Sequence, residues 1–130
     1  MRMDDQRLIR LAKDAREHAY APFSGFRVGA ALLCADGTVY AGCNIENSSY
    51  TPTLCAERCA VAKAVSEGQR HFLAIAIVGS ETDYTTPCGV CRQFLYEFCE
   101  ESFIVICAKK EDDYQKTTLG ELFPRGFKLR

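Results

Sequence analysis

The alternation of apolar and polar positions divides the chain into helical and extended segments. Over residues 4–19, Leu8, Leu11 and Ala12 recur at helical spacing and share one face. An alanine-rich segment over 54–67 ends at Gly68, a residue typical of helix C-termini. The pattern as a whole predicts helices over 4–19, 54–67 and 88–98, and a short last helix between Thr118 and Pro124.

Apolar runs between these helices predict strands. Residues 72–79 are almost continuously apolar, which is typical of a strand buried on both faces of a sheet. Ala35-Asp36-Gly37 predicts a hairpin turn between two strands. Strands are predicted over 26–34, 38–43, 72–79 and 103–108, with a weaker one near 113–117. This order of elements indicates an α/β domain with helices on both faces of the sheet.

Length and composition limit the classes of protein to which the chain can belong. Its 130 residues, 48% of them apolar, suit one domain, residues 1–130, with a sizeable core. A net charge of −1 provides no basic surface for nucleic acid and favours a small-molecule substrate. The polar N-terminus lacks signal-peptide features, and the apolar run 72–79 is too short to cross a bilayer. We therefore expect a soluble cytoplasmic protein with no nucleic-acid or membrane partner.

Eight cysteines are many for a chain of this length. In the reducing cytoplasm, thiol or metal chemistry explains them better than a disulfide framework does. Half of them lie in apolar stretches and are expected to be small buried hydrophobes: Cys34, Cys43, Cys99 and Cys107. The remaining four need another explanation: Cys55, Cys59, Cys88 and Cys91.

Three of these remaining cysteines have the spacing of a metal site. Pro87-Cys88-Gly89-Val90-Cys91 places two thiols one helical turn apart where a helix begins. Cys55 stands at the predicted start of another helix, where unpaired N–H groups also stabilise thiolates. If the two helices begin side by side, Cys55, Cys88 and Cys91 would hold one Zn²⁺. Three protein ligands leave a fourth position for water, which is the catalytic pattern.

Charged neighbours of these cysteines indicate how such a site would work. Three thiolates and one zinc ion sum to a net charge of minus one, which weakens the ability of the metal to acidify water. Hydrogen bonds from Arg58 and Arg92 to the sulfurs would restore that ability. Glu57, two positions after Cys55, has the chemistry of a proton shuttle between water and a substrate.

The pattern resembles the signature of the cytidine deaminase family, in which a zinc ligand precedes a glutamate by two positions and Pro-Cys-x-x-Cys follows. With Cys55 as the first ligand, the chain is similar to the compact three-cysteine members. The resemblance covers about residues 7–127. It is also carried by Tyr20-Ala21-Pro22-Phe23-Ser24, Val28-Gly29-Ala30-Ala31, Gly42-Cys43-Asn44-Ile45-Glu46-Asn47 and Cys88-Gly89-Val90-Cys91-Arg92-Gln93.

This resemblance implies a fold, an activity and an assembly. The fold would be a three-layer α-β-α sandwich around a central mixed sheet of about five strands. The reaction would be zinc-dependent hydrolytic deamination of cytidine and 2′-deoxycytidine to uridine and 2′-deoxyuridine plus ammonia, in pyrimidine salvage. The compact members are homotetramers with one Zn²⁺ per subunit and with sites shared between subunits.

The resemblance also implies roles for individual residues. Asn44 and Glu46 would bind the ribose 3′-hydroxyl, and as alternate residues at a strand end they can point the same way. Phe26 would pack against the nucleoside. Glu57 would hold the base and move protons. The other implied contacts are the backbone N–H of Ala56, the carbonyl of Thr86, Tyr50 lining the pocket, and Phe127 stacking on the pyrimidine in the site of a neighbouring subunit.

Some residues depart from the family pattern, and other functions compete with it. Val90 replaces a frequent alanine, Pro52 adds a turn-former before Cys55, and Cys59 replaces a frequent threonine. One alternative is a dithiol redox protein built on the Pro-Cys-Gly-Val-Cys segment. A second is a structural zinc module whose fourth ligand is Cys59 or one of the two histidines, His18 and His71. A third is a deaminase of the same fold acting on another base or on a nucleotide.

Overall fold

The computed structural model describes residues 3–129 and centres on one five-stranded sheet. The helices of this region are α1 (Asp5–Arg16), α2 (Ala56–Ser66), α3 (Gly89–Phe98) and α4 (Leu119–Leu122). The strands are β1 (Gly29–Cys34), β2 (Val39–Cys43), β3 (Phe72–Val78), β4 (Ile104–Lys110) and β5 (Asp113–Thr118). Every predicted helix and strand is therefore present, with boundaries shifted by up to three residues.

The sheet has the strand order β2-β1-β3-β4-β5. β3 and β4 are parallel and are joined through α3, whereas the other neighbouring pairs are antiparallel. β3 lies in the middle of this mixed sheet, and all of its residues except Leu73 are buried. Its nearly continuous apolar sequence follows from burial on both faces.

Helices cover both faces of the sheet. On one face, Leu8, Ile9 and Ala12 of α1 pack against small and branched residues of β1, β3 and β4. On the other face, Ala60 and Val61 of α2 lie in a larger core together with residues of α3. The expected three-layer α-β-α sandwich around a mixed sheet is confirmed. The alanines of α2 leave little side-chain bulk between helix and sheet, which lets the start of α2 approach the sheet closely.

Two departures of the fold from the sequence predictions have a clear physical cause. β1 begins at Gly29 instead of residue 26, because the side chain of Asn44 takes the hydrogen bonds of residues 26–28. Cys43 is half-buried, and its expected full burial is wrong, because β2 is an edge strand. Cys34, Cys99 and Cys107 are buried as predicted, and all eight cysteines are free thiols.

The length and polarity of the helices bear on membrane association. Within residues 3–129, none of the helices has an apolar stretch long enough to span a bilayer.

Candidate metal centre and active site

The candidate site lies at one end of the sheet. Gly29 at the start of β1 pairs with Cys43 at the end of β2 and with Val78 at the end of β3. The segments that flank these three strand ends therefore meet at the same edge. Both α2 and α3 begin there, in line with the rule that α/β proteins place their sites at the carboxyl ends of parallel strands.

Three cysteine thiols come together where the two helices begin. Cys55 is the N-cap residue of α2, Cys88 is the N-cap residue of α3, and Cys91 lies in the first turn of α3. Their Sγ atoms all lie within 4.8 Å of one another, and those of Cys55 and Cys88 are 3.7 Å apart. The Cys88 sulfur also accepts a hydrogen bond from the backbone N–H of Cys91 at 3.5 Å. The unpaired N–H groups at both helix starts favour negative charge on these sulfurs.

The chemistry of this cluster fits a zinc ion. Hydrogen bonding from Cys91, and then from Arg58, lowers the pKa of the Cys55 thiol to about 5, which favours the thiolate form that binds metal. Among residues 3–129, Cys55, Cys88 and Cys91 are the one group of three or more potential ligands that lie this close together. Cys59, one turn beyond Cys55, is not part of it. A three-thiolate set corresponds to catalytic zinc sites rather than to four-ligand structural ones.

The two arginines beside the ligands have different partners. Arg58 Nη2 lies 3.6 Å from the Cys55 sulfur and donates to the Thr53 carbonyl at 3.0 Å. Arg92 instead donates from Nε to the Pro87 carbonyl at 2.8 Å and from Nη1 to the Leu122 carbonyl at 2.7 Å. The prediction that both guanidinium groups bond to sulfur is therefore wrong for Arg92. Its side chain reaches the last turn of α4 and supports the backbone that leads into Cys88.

Glu57 occupies the first turn of α2 and is buried, with 4% of its surface exposed. Burial raises the pKa of its carboxyl group to about 7, and the negative charge of Cys55 adds to this effect. A carboxyl group with such a pKa can both release and accept a proton at neutral pH. The side chain lines the same cavity as Cys55 and Cys88.

This cavity has a volume of about 290 Å³, which suits one small molecule. Eight residues singled out in the sequence line it: Phe26, Asn44, Glu46, Cys55, Ala56, Glu57, Thr86 and Cys88. Other residues that line the cavity were not predicted from the sequence, among them Ser24 and Thr85. Ser24 lies in a stretch that carries the family resemblance, but nothing in the local pattern marks Thr85.

Asn44 and Glu46 present hydrogen-bonding groups to the cavity. Asn44 Oδ1 accepts from the Val28 N–H at 2.8 Å, and Nδ2 donates to the Phe26 carbonyl at 2.8 Å, which uses one of its two N–H groups. Glu46 Oε1 accepts from the backbone N–H groups of Phe23 and Ser24, at 2.9 and 3.1 Å. Its Oε2 accepts from the Ser24 hydroxyl. Among these described contacts, one N–H of Asn44 and one lone pair of Glu46 Oε2 remain unused. Together they could bind a hydroxyl group of a ligand, which can accept one hydrogen bond and donate another.

Two predicted substrate contacts lie outside this cavity. Tyr50 is 77% exposed and lines a neighbouring depression together with Phe23 and Glu46. Its expected place in the substrate pocket is therefore not observed within one chain. Phe127 is 67% exposed, and its backbone carbonyl accepts from Gln93 Nε2 at 2.9 Å. Its predicted role concerns the site of a neighbouring subunit and stays a prediction.

Comparison with known proteins identifies relatives over almost the whole chain. The family model for the cytidine and deoxycytidylate deaminase zinc-binding region matches residues 2–107. The cytidine deaminase of Sporosarcina psychrophila is 51% identical over 125 residues, which cover 96% of this chain and 92% of that protein. The cytidine deaminase of Halalkalibacterium halodurans is 50% identical over 125 residues, covering 96% of this chain and 95% of that protein.

Solved structures give the same result for the fold. The cytidine deaminase of Burkholderia pseudomallei superposes with a TM-score of 0.92 at 45% identity, and the match covers 96% of this chain and 100% of that one. The cytidine deaminase of Mycobacterium tuberculosis superposes with a TM-score of 0.86 at 39% identity, covering 98% of this chain and 100% of that one. Together with the three-thiol cluster at the helix starts, these relationships show that the chain belongs to the cytidine deaminase family of zinc-binding hydrolases that act on carbon–nitrogen bonds.

Proposed function

We propose that the protein hydrolyses cytidine and 2′-deoxycytidine to uridine and 2′-deoxyuridine, releasing ammonia, and that it serves pyrimidine salvage. The observation that carries this proposal is one small cavity that combines three features. The thiol cluster and the buried carboxyl group of Glu57 border the cavity, and the hydroxyl-binding pair Asn44 and Glu46 lies on its wall. A pyrimidine nucleoside matches this arrangement, because its base can react beside the thiol cluster and Glu57 while its sugar hydroxyl binds to Asn44 and Glu46.

The zinc ion would be held by Cys55, Cys88 and Cys91, and when bound it supplies the chemistry of acidifying a water molecule near neutral pH. Glu57 takes a proton from the attacking water and delivers it to ring nitrogen 3 while carbon 4 gains the new oxygen. Glu57 then takes the proton of the new hydroxyl group on carbon 4 and passes it to the exocyclic amine, and the carbon–nitrogen bond breaks to release ammonia. Its raised pKa supports both transfers, because base and acid are then available at the same pH.

Backbone groups of the cavity would orient the base. Ala56 is the first residue of α2, so its N–H has no partner within the helix and can donate to the pyrimidine carbonyl. The carbonyl of Thr86, in the segment leading to α3, would accept from the exocyclic amine. Phe26 would pack against the nucleoside, and Asn44 and Glu46 would bind its 3′-hydroxyl.

Charge at the cavity favours a nucleoside over a nucleotide. The ionisable side chains that line it within residues 3–129 are cysteines and the acids Glu46 and Glu57, with no lysine or arginine among them. A 5′-phosphate would have no cation to bind there and would meet negative charge. We therefore infer that 2′-deoxycytidylate and cytidylate are poor substrates.

An ultraviolet assay with zinc quantified in the same sample tests this function. Cytidine and 2′-deoxycytidine should both be deaminated by protein carrying one zinc per chain, whereas cytosine, cytidylate and adenosine should not. Deamination of 2′-deoxycytidylate in preference to the nucleoside would reassign the substrate class. Zinc-replete protein without any of these activities would overturn the proposal in favour of a structural zinc module or a redox dithiol.

We also infer a homotetramer in which neighbouring subunits complete each site. Support comes from large exposed apolar side chains, of which Phe23 and Tyr50 line a depression that shares Glu46 with the cavity. The exposed side chains are Tyr20, Phe23, Ile45, Tyr50, Val90 and Phe127. A second copy of this chain would cover such a surface and bring Phe127 to another cavity. Light scattering should give four times 14.5 kDa. A fully active monomer would refute the shared site.

The eight free thiols support placing the protein in the reducing cytoplasm.

A further inference from the structure

The hydroxyl group of Ser24 connects two walls of the candidate substrate cavity. Ser24 Oγ donates to Glu46 Oε2 and accepts from the backbone N–H of Phe26 at 3.0 Å. The backbone N–H of Ser24 also donates to Glu46 Oε1 at 3.1 Å. Ser24 itself lines the cavity. One serine therefore contacts both the carboxylate and the backbone of the aromatic residue that are proposed to face the sugar.

These hydrogen bonds determine which part of Glu46 remains available to a ligand. The N–H groups of Phe23 and Ser24 occupy Oε1, whereas the Ser24 hydroxyl takes a single position on Oε2. A carboxylate has about four acceptor positions, so the free one lies on Oε2. A glutamate side chain without such partners would sample several rotamers and would lose that freedom only on binding. The Ser24 hydroxyl also contributes most to lowering the pKa of Glu46, which keeps the carboxylate an acceptor.

The second contact of Ser24 reaches the other hydroxyl-binding residue. The backbone N–H of Phe26 donates to Ser24 Oγ, and the carbonyl of Phe26 accepts from Asn44 Nδ2 at 2.8 Å. The side chains of Glu46 and Asn44 are thus linked through Ser24 and the backbone of Phe26. A change at Ser24 would free Glu46 Oε2 directly and would loosen Asn44 indirectly, through the backbone of Phe26.

We propose that Ser24 is a positioning residue that orients Glu46 and Asn44 toward the sugar hydroxyl and so determines the preference for substrates that carry it. The inference rests on the proposed function. A positioning role of Ser24 can be distinguished from a structural role in the 21–25 turn. A structural role would affect all substrates equally, whereas a positioning role affects those that carry the hydroxyl.

Steady-state kinetics with two substrates test this role. Ser24→Ala should raise KM about tenfold or more for cytidine, the expected loss for a hydrogen bond to a charged group, while kcat stays within about twofold. With 3′-deoxycytidine, which lacks the hydroxyl, the same variant should differ little from the unaltered protein. Ser24→Thr keeps the hydroxyl at an exposed position and should restore the KM for cytidine. Ser49→Ala, at an exposed serine of a nearby loop that does not line the cavity, serves as control.

Binding of the products separates failure of this role from failure of the proposed function. Calorimetry with uridine and 3′-deoxyuridine should show the same hydroxyl-dependent loss of affinity in Ser24→Ala. An equal penalty for both substrates and both products, with an active unaltered protein, would overturn the role of Ser24 alone. Unaltered protein that neither turns over nor binds pyrimidine nucleosides would overturn the proposed function, and this role with it.

Discussion

Arg58 places Nη2 3.6 Å from Sγ of Cys55, the N-cap residue of α2 three positions earlier. The guanidinium group is thus the cation that faces the thiol cluster, while its second bond, to the Thr53 carbonyl, prevents it from swinging into solvent. Its Nε atom is buried without a hydrogen-bond partner among the described residues. A buried donor left unpaired costs free energy.

Replacing Arg58 should weaken zinc binding. In Arg58→Ala the Cys55 thiolate loses a neighbouring positive charge, and zinc affinity should fall by roughly 10–100-fold, the usual effect of removing a partner of a metal ligand. Competition with a chromophoric chelator measures this directly. Arg70→Ala removes an exposed arginine that donates to the Val65 and Gln69 carbonyls at the other end of the same helix, and should leave affinity unchanged. Equal affinities in both variants would contradict a role of Arg58 at the metal.

Cysteine variants should separate ligands from bystanders. Cys88→Ser removes one of the three clustered thiols, and the purified protein should contain far less than one zinc per chain. Cys59→Ser is the matched control, because Cys59 lies on the same helix as Cys55 but outside the cluster, and it should keep the full zinc content. Metal analysis by mass spectrometry provides the readout. Zinc retained in the Cys88 variant, or lost in the Cys59 variant, would redefine the ligand set.

Glu57→Gln should abolish turnover without releasing the metal. Glutamine has the size of glutamate but cannot move protons, so kcat should drop by at least roughly 10²–10⁴-fold. The fold should tolerate the change, because a neutral amide is easier to bury than a carboxylate. Thermal denaturation and zinc content, measured beside kcat, check both statements. Glu67→Gln, at the exposed C-terminal end of α2, should behave like the unaltered protein; near-normal turnover in Glu57→Gln would exclude the proton shuttle.

Much of the architecture could be predicted because it depends on local patterns. The apolar run of β3 and the alanine-rich α2 indicate their type from a few adjacent residues. The ligand residues could also be predicted from the sequence, because Cys88 and Cys91 lie one turn apart and the start of a helix also favours the thiolate form of Cys55. That Cys55 meets the other two thiols depends on two distant helix starts coming together, and the family resemblance indicated this part.

The errors arise where distant segments or side chains replace local backbone bonds. Asn44 takes over the hydrogen bonds that would have extended β1 to residue 26, and no periodicity reveals such a substitution. Arg92 bonds to Leu122, thirty positions away in sequence, so its preference for carbonyl oxygens over sulfur follows from the docking of α4. The contribution of Ser24 depends in the same way on a turn that folds back onto Glu46.

Gly79→Ala should reshape the cavity wall. A Cβ atom at Gly79 would lie 2.4 Å from Thr85 Oγ1 and 2.8 Å from Phe26 Cζ, closer than real Cβ contacts allow. The backbone cannot readily move away, because Arg16 Nη1 holds the Gly79 carbonyl at 2.6 Å and α1 packs on the sheet behind it. Thr85 and Phe26 must therefore shift, and both line the cavity.

We expect Gly79→Ala to raise KM for cytidine severalfold and to reduce the free energy of unfolding by about 1–3 kcal/mol, the typical cost of overpacking. Kinetics and urea denaturation measure the two effects. Gly89→Ala is the matched control, because a Cβ at that position meets no atom within 4 Å and alanine favours the helix there. If the two glycine variants had equal KM values and equal stability, the close approach of Phe26 and Thr85 to Gly79 would have no part in shaping the cavity.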